Sequence, residues 1–242
     1  MTRKLLLPFV TAGYPTKAGC VDLLNACAAG GGDQIELGIP FSDPLADGPI
    51  IQSTSYKALV GGITVEDVFR IAEDFKAAPL NLMTYINPVM QYGEKKFFDR
   101  AAKCGVKGVI VPDVPPEEAE DITAASESSG VPNIFLISPT CTDERIKMID
   151  KLSRSWIYIV SLKGVTGSKI GTDISAFLKR VRKLTHHPLY VGFGISTPDD
   201  AKRIAEVADG IIVASALLKL IENGGTAGDV EKFVASLRKA ID

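Results

Sequence analysis

Apolar positions recur along this chain in two rhythms. Short runs rich in Val, Ile and Leu fall at residues 4–10, 34–39, 81–85, 108–112, 133–137, 156–160, 189–193 and 210–214, and read as strands. Between and after them, at 20–29, 65–77, 95–104, 117–128, 143–152, 174–184, 198–207 and 230–241, apolar residues return every three or four positions, the period of a helix with one buried face. Thr64 and Thr197, the latter followed by Pro198, stand where helix N-caps belong. Gly30, Gly105 and Gly130 fall just past helix ends. Strand and helix therefore alternate with short links, and the strands are apolar on both faces, as in a parallel sheet covered by helices. A doubly wound sheet wants a glycine-rich fingerprint after its first strand, and the run from Thr11 to Pro15 (TAGYP) is not one. Eight such units in 242 residues predict an α/β fold, a single (β/α)8 TIM barrel filling 1–242 as one domain without linkers or low-complexity tracts.

One polar residue interrupts this pattern. In the run 34–39, Ile35, Leu37 and Ile39 share one strand face and Glu36 takes the other. Pro40, Pro44 and Pro49 stiffen the segment that follows, which carries Asp43 and Asp47. Two readings are open: carboxylates arranged around one small substrate, or a buried Glu paired with a barrel Lys or Arg above a turn stapled by Asp. Barrel enzymes place their sites in the loops at the carboxyl ends of the strands. There this chain has Gly164 and Gly167 after the sixth predicted strand, Gly192 and Gly194 at the seventh, and Ser215 after the eighth. Glycines let backbone N–H groups approach an anion, and a short helix starting near Ser215 adds the positive end of its dipole, so together they predict a phosphate cradle. Gly192-Phe193-Gly194 alone fits a tight barrel corner better than an anion site, and it is the glycines of two loops together with Ser215 that point to phosphate. Phe9, Met83, Tyr85, Ile110, Ile137, Tyr158 and Phe193 are individually upper-layer core, and jointly a flat apolar slot beside the cradle.

Composition narrows the field further. The formal charge is −2 with no basic stretch, which leaves nucleic acid without an electrostatic footprint. The apolar runs are far shorter than a bilayer span, and the first reads as a strand, not a signal peptide. Cys20, Cys27, Cys104 and Cys141 have unrelated spacings and no C-x-x-C, as expected of reduced thiols in a cytoplasmic protein. His186 and His187 are adjacent and precede Pro188, so their side chains diverge and no metal site is expected.

The stretch Glu36–Pro49 (ELGIPFSDPLADGP), together with PFVTAG at 8–13, Asn87-Pro88, Pro112-Asp113, GVTG at 164–167 and GFGIS at 192–196, resembles the α subunit of tryptophan synthase over nearly the whole chain. The resemblance implies a carbon–carbon lyase of tryptophan biosynthesis, cleaving indole-3-glycerol phosphate to indole and glyceraldehyde 3-phosphate. It implies no cofactor in this chain, and a β-subunit partner holding pyridoxal phosphate in an α2β2 heterotetramer. It puts Glu36 on the catalytic acid-base, Asp47 on the carboxylate at the indole N–H, and Tyr158 near the reacting carbon. Phe9, Met83, Tyr85, Ile110, Ile137 and Phe193 fall on the indole slot, and Gly167, Gly194, Ala214 and Ser215 on the phosphate site. Thr166 falls on a mobile-loop residue. Cleavage at indole C3 requires protonation there, which places positive charge on the ring. A carboxylate at the N–H then stabilises that charge, and a carboxyl with a raised pKa supplies the proton.

The chain departs from the family pattern in three places. Almost nothing precedes Lys4, where the family has an amphipathic helix, so the N-terminal helix is expected to be truncated. Leu162 and Lys163 stand where the mobile loop usually has Arg and a small residue. Ala214 replaces a usual Gly. The loop change frames an alternative: a catalytically weak or silent α subunit acting mainly as allosteric activator of β. Lys163 frames a remote one, a Schiff-base aldolase.

Overall fold

A computed structural model describes residues 3–160, 170–192 and 194–242, the side chains of 170–173 excepted. The strands are β1 (Leu5–Thr11), β2 (Ile35–Gly38), β3 (Leu80–Met83), β4 (Gly108–Ile110), β5 (Asn133–Ile134), β6 (Leu136–Ile137), β7 (Ile157–Ile159), β8 (Leu189–Val191) and β9 (Gly210–Val213). The helices are α1 (Cys20–Ala29), α2 (Pro49–Val60), α3 (Val65–Asp74), α4 (Ile86–Tyr92), α5 (Glu94–Lys103), α6 (Glu120–Ser129), α7 (Asp143–Leu152), α8 (Ile170–Arg182), α9 (Pro198–Ala205), α10 (Ser215–Glu222) and α11 (Ala227–Ile241).

The strands pair in parallel in the order β5-β4-β3-β2-β1-β9-β8-β7-β6. The two ends of this order, β5 and β6, are one chain segment broken only at Phe135. Phe135 O accepts the Tyr158 N–H at 3.0 Å, while Val109 N–H reaches Pro132 O at 3.0 Å on the other side. The sheet thus closes on itself through a single residue, and the nine segments are the eight strands of a (β/α)8 barrel with the fifth strand split.

Alternation sorts the side chains into two layers. Leu37, Leu82, Val109, Ile137, Ile159 and Val191 face outward into the large cluster shared with the helices. Leu7, Ile110, Ile134, Trp156, Tyr158, Tyr190 and Ile212 fill the barrel interior. The same alternation turns Glu36 inward. Two glycines, Gly38 at the end of β2 and Gly192 just after β8, make room for the interior rings. A Cβ at Gly38 would stand 2.4 Å from Phe9 Cζ, and one at Gly192 would stand 2.1 Å from Tyr158 Oη.

Helix starts follow the cap signals. Thr64 with Asp67, Thr197 with Asp200 and Thr226 with Asp229 form reciprocal capping boxes. The helix α2 grows out of the proline-rich segment, with Pro49 at its first position, where the missing N–H costs nothing. Asp113, after β4, accepts the Ile86 N–H at 3.0 Å and so caps α4. At the lower rim Asp33 accepts from Leu6 N–H (2.9 Å) and pairs with Arg238 and Arg3 (2.8 Å each), while Lys4 Nζ donates to Ala208 O at 2.7 Å.

Candidate active site

At the carboxyl ends of the strands lies a cavity of about 290 Å³. Phe9, Glu36, Met83, Leu136, Tyr158 and Ile212 form its interior wall. Ala46 to Ile51 close one side, and Gly192, Gly194, Ile195, Ser196, Ala214 and Ser215 the other.

Glu36 is fully buried, and neither carboxyl oxygen has a hydrogen-bond partner among the described residues. No Lys or Arg pairs with it there, so the buried-ion-pair reading of this residue finds no counterpart. Burial, and secondarily Asp47, pushes its pKa up to about 8, because an unpaired charge is costly in a dry site. A carboxyl in that state holds a proton at neutral pH and is able to donate it. Asp47 is raised to about 6 by burial, with a hydrogen bond from Tyr85 acting the other way. Tyr85 Oη donates to Asp47 Oδ2 at 2.8 Å and accepts the Ala46 N–H at 3.1 Å, and its ring stacks on Phe41. The phenol of Tyr158 is held well above its usual range by burial and then by Glu36 and Asp47, so it stays neutral.

The other side of the cavity carries features that suit an anion. Ser215 opens α10, and its first main-chain bond runs from Leu218 N–H to Ala214 O at 3.0 Å. The N–H groups of Ser215, Ala216 and Leu217 precede that bond and have no acceptor within the helix, and the dipole adds partial positive charge. Gly194 takes φ +76°, a conformation a side chain would strain. Ala214 has a negative φ, −116°, so the position makes no demand for glycine.

The remaining site residues of the sequence reading fall elsewhere. Tyr85 stands behind Asp47 and does not line the cavity. Ile110 lies in the interior layer beneath, packed with Met83, Leu136 and Tyr158. Ile137 faces outward, because its neighbour Leu136 takes the inward position. Asp43 is exposed in an outer groove with Phe41, Leu45 and Tyr56. Thr166, Gly167 and Phe193, with Leu162, Lys163 and Gly164, lie outside the described residues. The sequence reading missed Leu136, Ile50 and Ile51. Strict alternation from Ile134 would have found Leu136, whereas the two isoleucines required the helix α2 to be recognised. Among the described residues no group of three potential ligands could hold a metal ion.

The family model described as tryptophan synthase alpha chain matches residues 1–241. Among curated proteins, the tryptophan synthase alpha chain of Dehalococcoides mccartyi is 46% identical over 245 residues, covering 99% of this chain and 96% of the relative. That of Burkholderia thailandensis is 43% identical over 250 residues, covering 99% and 92%. Among solved structures, the tryptophan synthase alpha chain of Legionella pneumophila superposes with a TM-score of 0.91 at 36% identity, covering 99% of this chain and 92% of that one. A chain of ligand-free tryptophan synthase from M. tuberculosis gives 0.90 at 33% identity, covering 99% and 93%.

Proposed function

The chain belongs to the tryptophan synthase alpha chain family, and we propose that Glu36 and Asp47 carry out the cleavage of indole-3-glycerol phosphate to indole and glyceraldehyde 3-phosphate. The observation that supports this assignment is Glu36, an acid without partners among the described residues, sharing one cavity with Asp47 and the start of α10.

The phosphate sits against the N–H groups opening α10 and the loop at Gly194. Holding this remote dianion orients the reacting bond. The indole lies between Phe9, Met83, Leu136 and Tyr158, with its N–H toward Asp47. Glu36 gives its proton to indole C3, and the positive charge that spreads to the ring nitrogen is stabilised by the Asp47 carboxylate in a site with little water. The Glu36 carboxylate then takes the proton of the glycerol hydroxyl next to the bond. As the aldehyde C=O forms, the C–C bond breaks and its electron pair neutralises the ring. Glu36 ends protonated, as it began. Tyr85 holds Asp47 in place through its hydroxyl, which makes it a positioning residue and not part of the slot.

This lyase chemistry draws on no cofactor in this chain; in the family the pyridoxal phosphate belongs to the β subunit, with which alpha chains form a complex. Leu45, Tyr56 and Val60 are 89%, 69% and 71% exposed and lie together on the segment after β2 and the outer side of α2. Large apolar residues gathered in this way mark an interaction surface, and we assign it to the β subunit in an α2β2 assembly. Among the described residues no helix is long and apolar enough to cross a membrane. The biosynthetic role of the family supports a place in the cytoplasm.

The decisive experiment is Glu36→Gln assayed for indole release in the αβ complex. A loss on the order of 10²–10⁴-fold is expected, with binding of an indole-propanol-phosphate-type ligand by calorimetry kept within a few-fold. Equal loss of both would make Glu36 structural.

A further inference from the structure

Asp47, the carboxyl that must keep its charge, is held from behind by a side chain outside the cavity. Tyr85 is 3% exposed, and its hydroxyl meets the segment after β2 twice, donating to Asp47 Oδ2 at 2.8 Å and accepting the Ala46 N–H at 3.1 Å. Its main chain is fixed as well. Tyr85 is the N-cap of α4, with φ −110° and ψ 164°, and Asp113 accepts the next N–H, that of Ile86, at 3.0 and 3.2 Å. Between these anchors the ring can still tilt about its side-chain bonds, and a hydrogen bond weakens steeply as its distance and angle leave the favoured range.

Phe41 stands against the flank of that ring, with centroids 5.4 Å apart and planes inclined by 30°. Stacking at this spacing is a favoured arrangement of two rings, and it blocks a tilt toward Phe41. Phe41 is half-buried and lies in the wall of the outer groove with Leu45 and Tyr56, not in the lining of the cavity. Phe41 and Asp47 belong to one segment stiffened by prolines, with Pro44 buried between them. That segment therefore grips Tyr85 at two points, on the face of its ring and at its hydroxyl. We propose that Phe41 is a positioning residue for Asp47: its ring braces Tyr85 from the groove side and keeps the phenol hydroxyl aimed at the carboxylate oxygen.

Without the brace the hydroxyl spends less time on Asp47, and the charged form loses part of a hydrogen bond that favours it. Among the described residues the titratable groups facing Asp47 are Glu36 of β2, Tyr85 after β3 and Tyr158 of β7, while Asp113 after β4 faces Tyr85. From α2, Gln52 donates to the Asp47 main-chain oxygen at 3.0 Å and carries no charge.

This inference rests on Asp47 being the carboxylate at the indole N–H, and its test separates the two ideas. The pH dependence of kcat/KM for indole release is measured with β subunit in saturating excess, so that weaker docking alone does not alter the profile. Phe41→Leu keeps an apolar cover but removes the flat face. It is expected to raise the acidic limb by about half a unit, a roughly threefold loss well below that limb, with little loss near pH 7. Phe41→Met is read in its place if that variant does not fold. Phe41→Tyr, which restores a ring, should return the limb to its original position. In a Tyr85→Phe background the hydroxyl is gone, and Phe41→Leu should no longer move the limb. A uniform loss at every pH, or a shift that persists in the Tyr85→Phe background, would overturn the proposal and leave Asp47 in its role. Asp47→Asn with full activity would remove Asp47 from the chemistry, and the brace with it.

Discussion

Glu36 and Asp47 are both carboxyls lifted by burial, yet to different levels, about 8 and about 6. Between those values one is neutral and the other charged, which is the pairing the cleavage requires. Because the two interact, the limbs of a pH profile belong to the pair. The sign follows directly: kcat/KM for indole release should climb as pH rises through about 6, where Asp47 ionises, and decline as it rises through about 8, where Glu36 loses its proton. The asymmetry comes first from the more complete burial of Glu36, and Tyr85, whose hydroxyl favours the charged form of Asp47, widens it. Tyr85→Phe should therefore move the acidic limb upward by about one unit, with a loss approaching roughly tenfold well below pH 6 and little movement of the basic limb; an acidic limb that stays put would mean the hydroxyl merely packs. Glu36 was legible in the sequence because it breaks an apolar run. The task of Tyr85 was not, since it depends on a hydrogen bond across 38 positions of chain. Ile137 was mistaken for a wall residue because 133–137 is a continuous apolar run on both faces, and composition does not tell which side points in.

Strands were read more easily than the elements joining them. Alternation and β-branched composition marked every barrel strand, while the split at Phe135 left no sign in the sequence. The helix α2 escaped because its buried positions are Thr54, Ser55 and Ala58, which show no apolar period, and because it follows a stretch punctuated by three prolines. The helix α4 escaped because Pro88 sits in its first turn and reads as a break. The glycines are a different lesson. Gly192 looked like a phosphate-loop or corner residue, and what it provides is space for the Tyr158 ring. Gly192→Ala should force that ring out of place, destabilising the fold by about 1–3 kcal/mol and lowering kcat more than phosphate affinity. Thermal melts and steady-state kinetics check it, and an unchanged melt with full activity would mean the ring has room to yield.

At the scale of the molecule, the catalytic mouth and the apolar outer surface meet along one helix. Leu45→Asp would set a charge in the middle of that surface without touching the cavity. It should weaken assembly with the β subunit at least tenfold by calorimetry or sedimentation, while the unassembled chain keeps its own rate of indole release. Assembly at full strength would move the interface elsewhere on the barrel.

The helix α2 has Ile50 and Ile51 in the cavity at its start and Tyr56 and Val60 outside toward its end, about 18 Å of rigid rod by its twelve residues. Near the middle, Thr54 Oγ1 meets Thr11 Oγ1 of β1 at 2.8 Å inside the core, and Lys57 clasps Glu222 at the far end of α10 at 2.6 Å. One rod therefore joins the outer greasy side chains to the cavity wall directly and, through the clasp, to the helix that starts at Ser215, so a load placed on its outer arm has a continuous rigid path to both sides of the mouth.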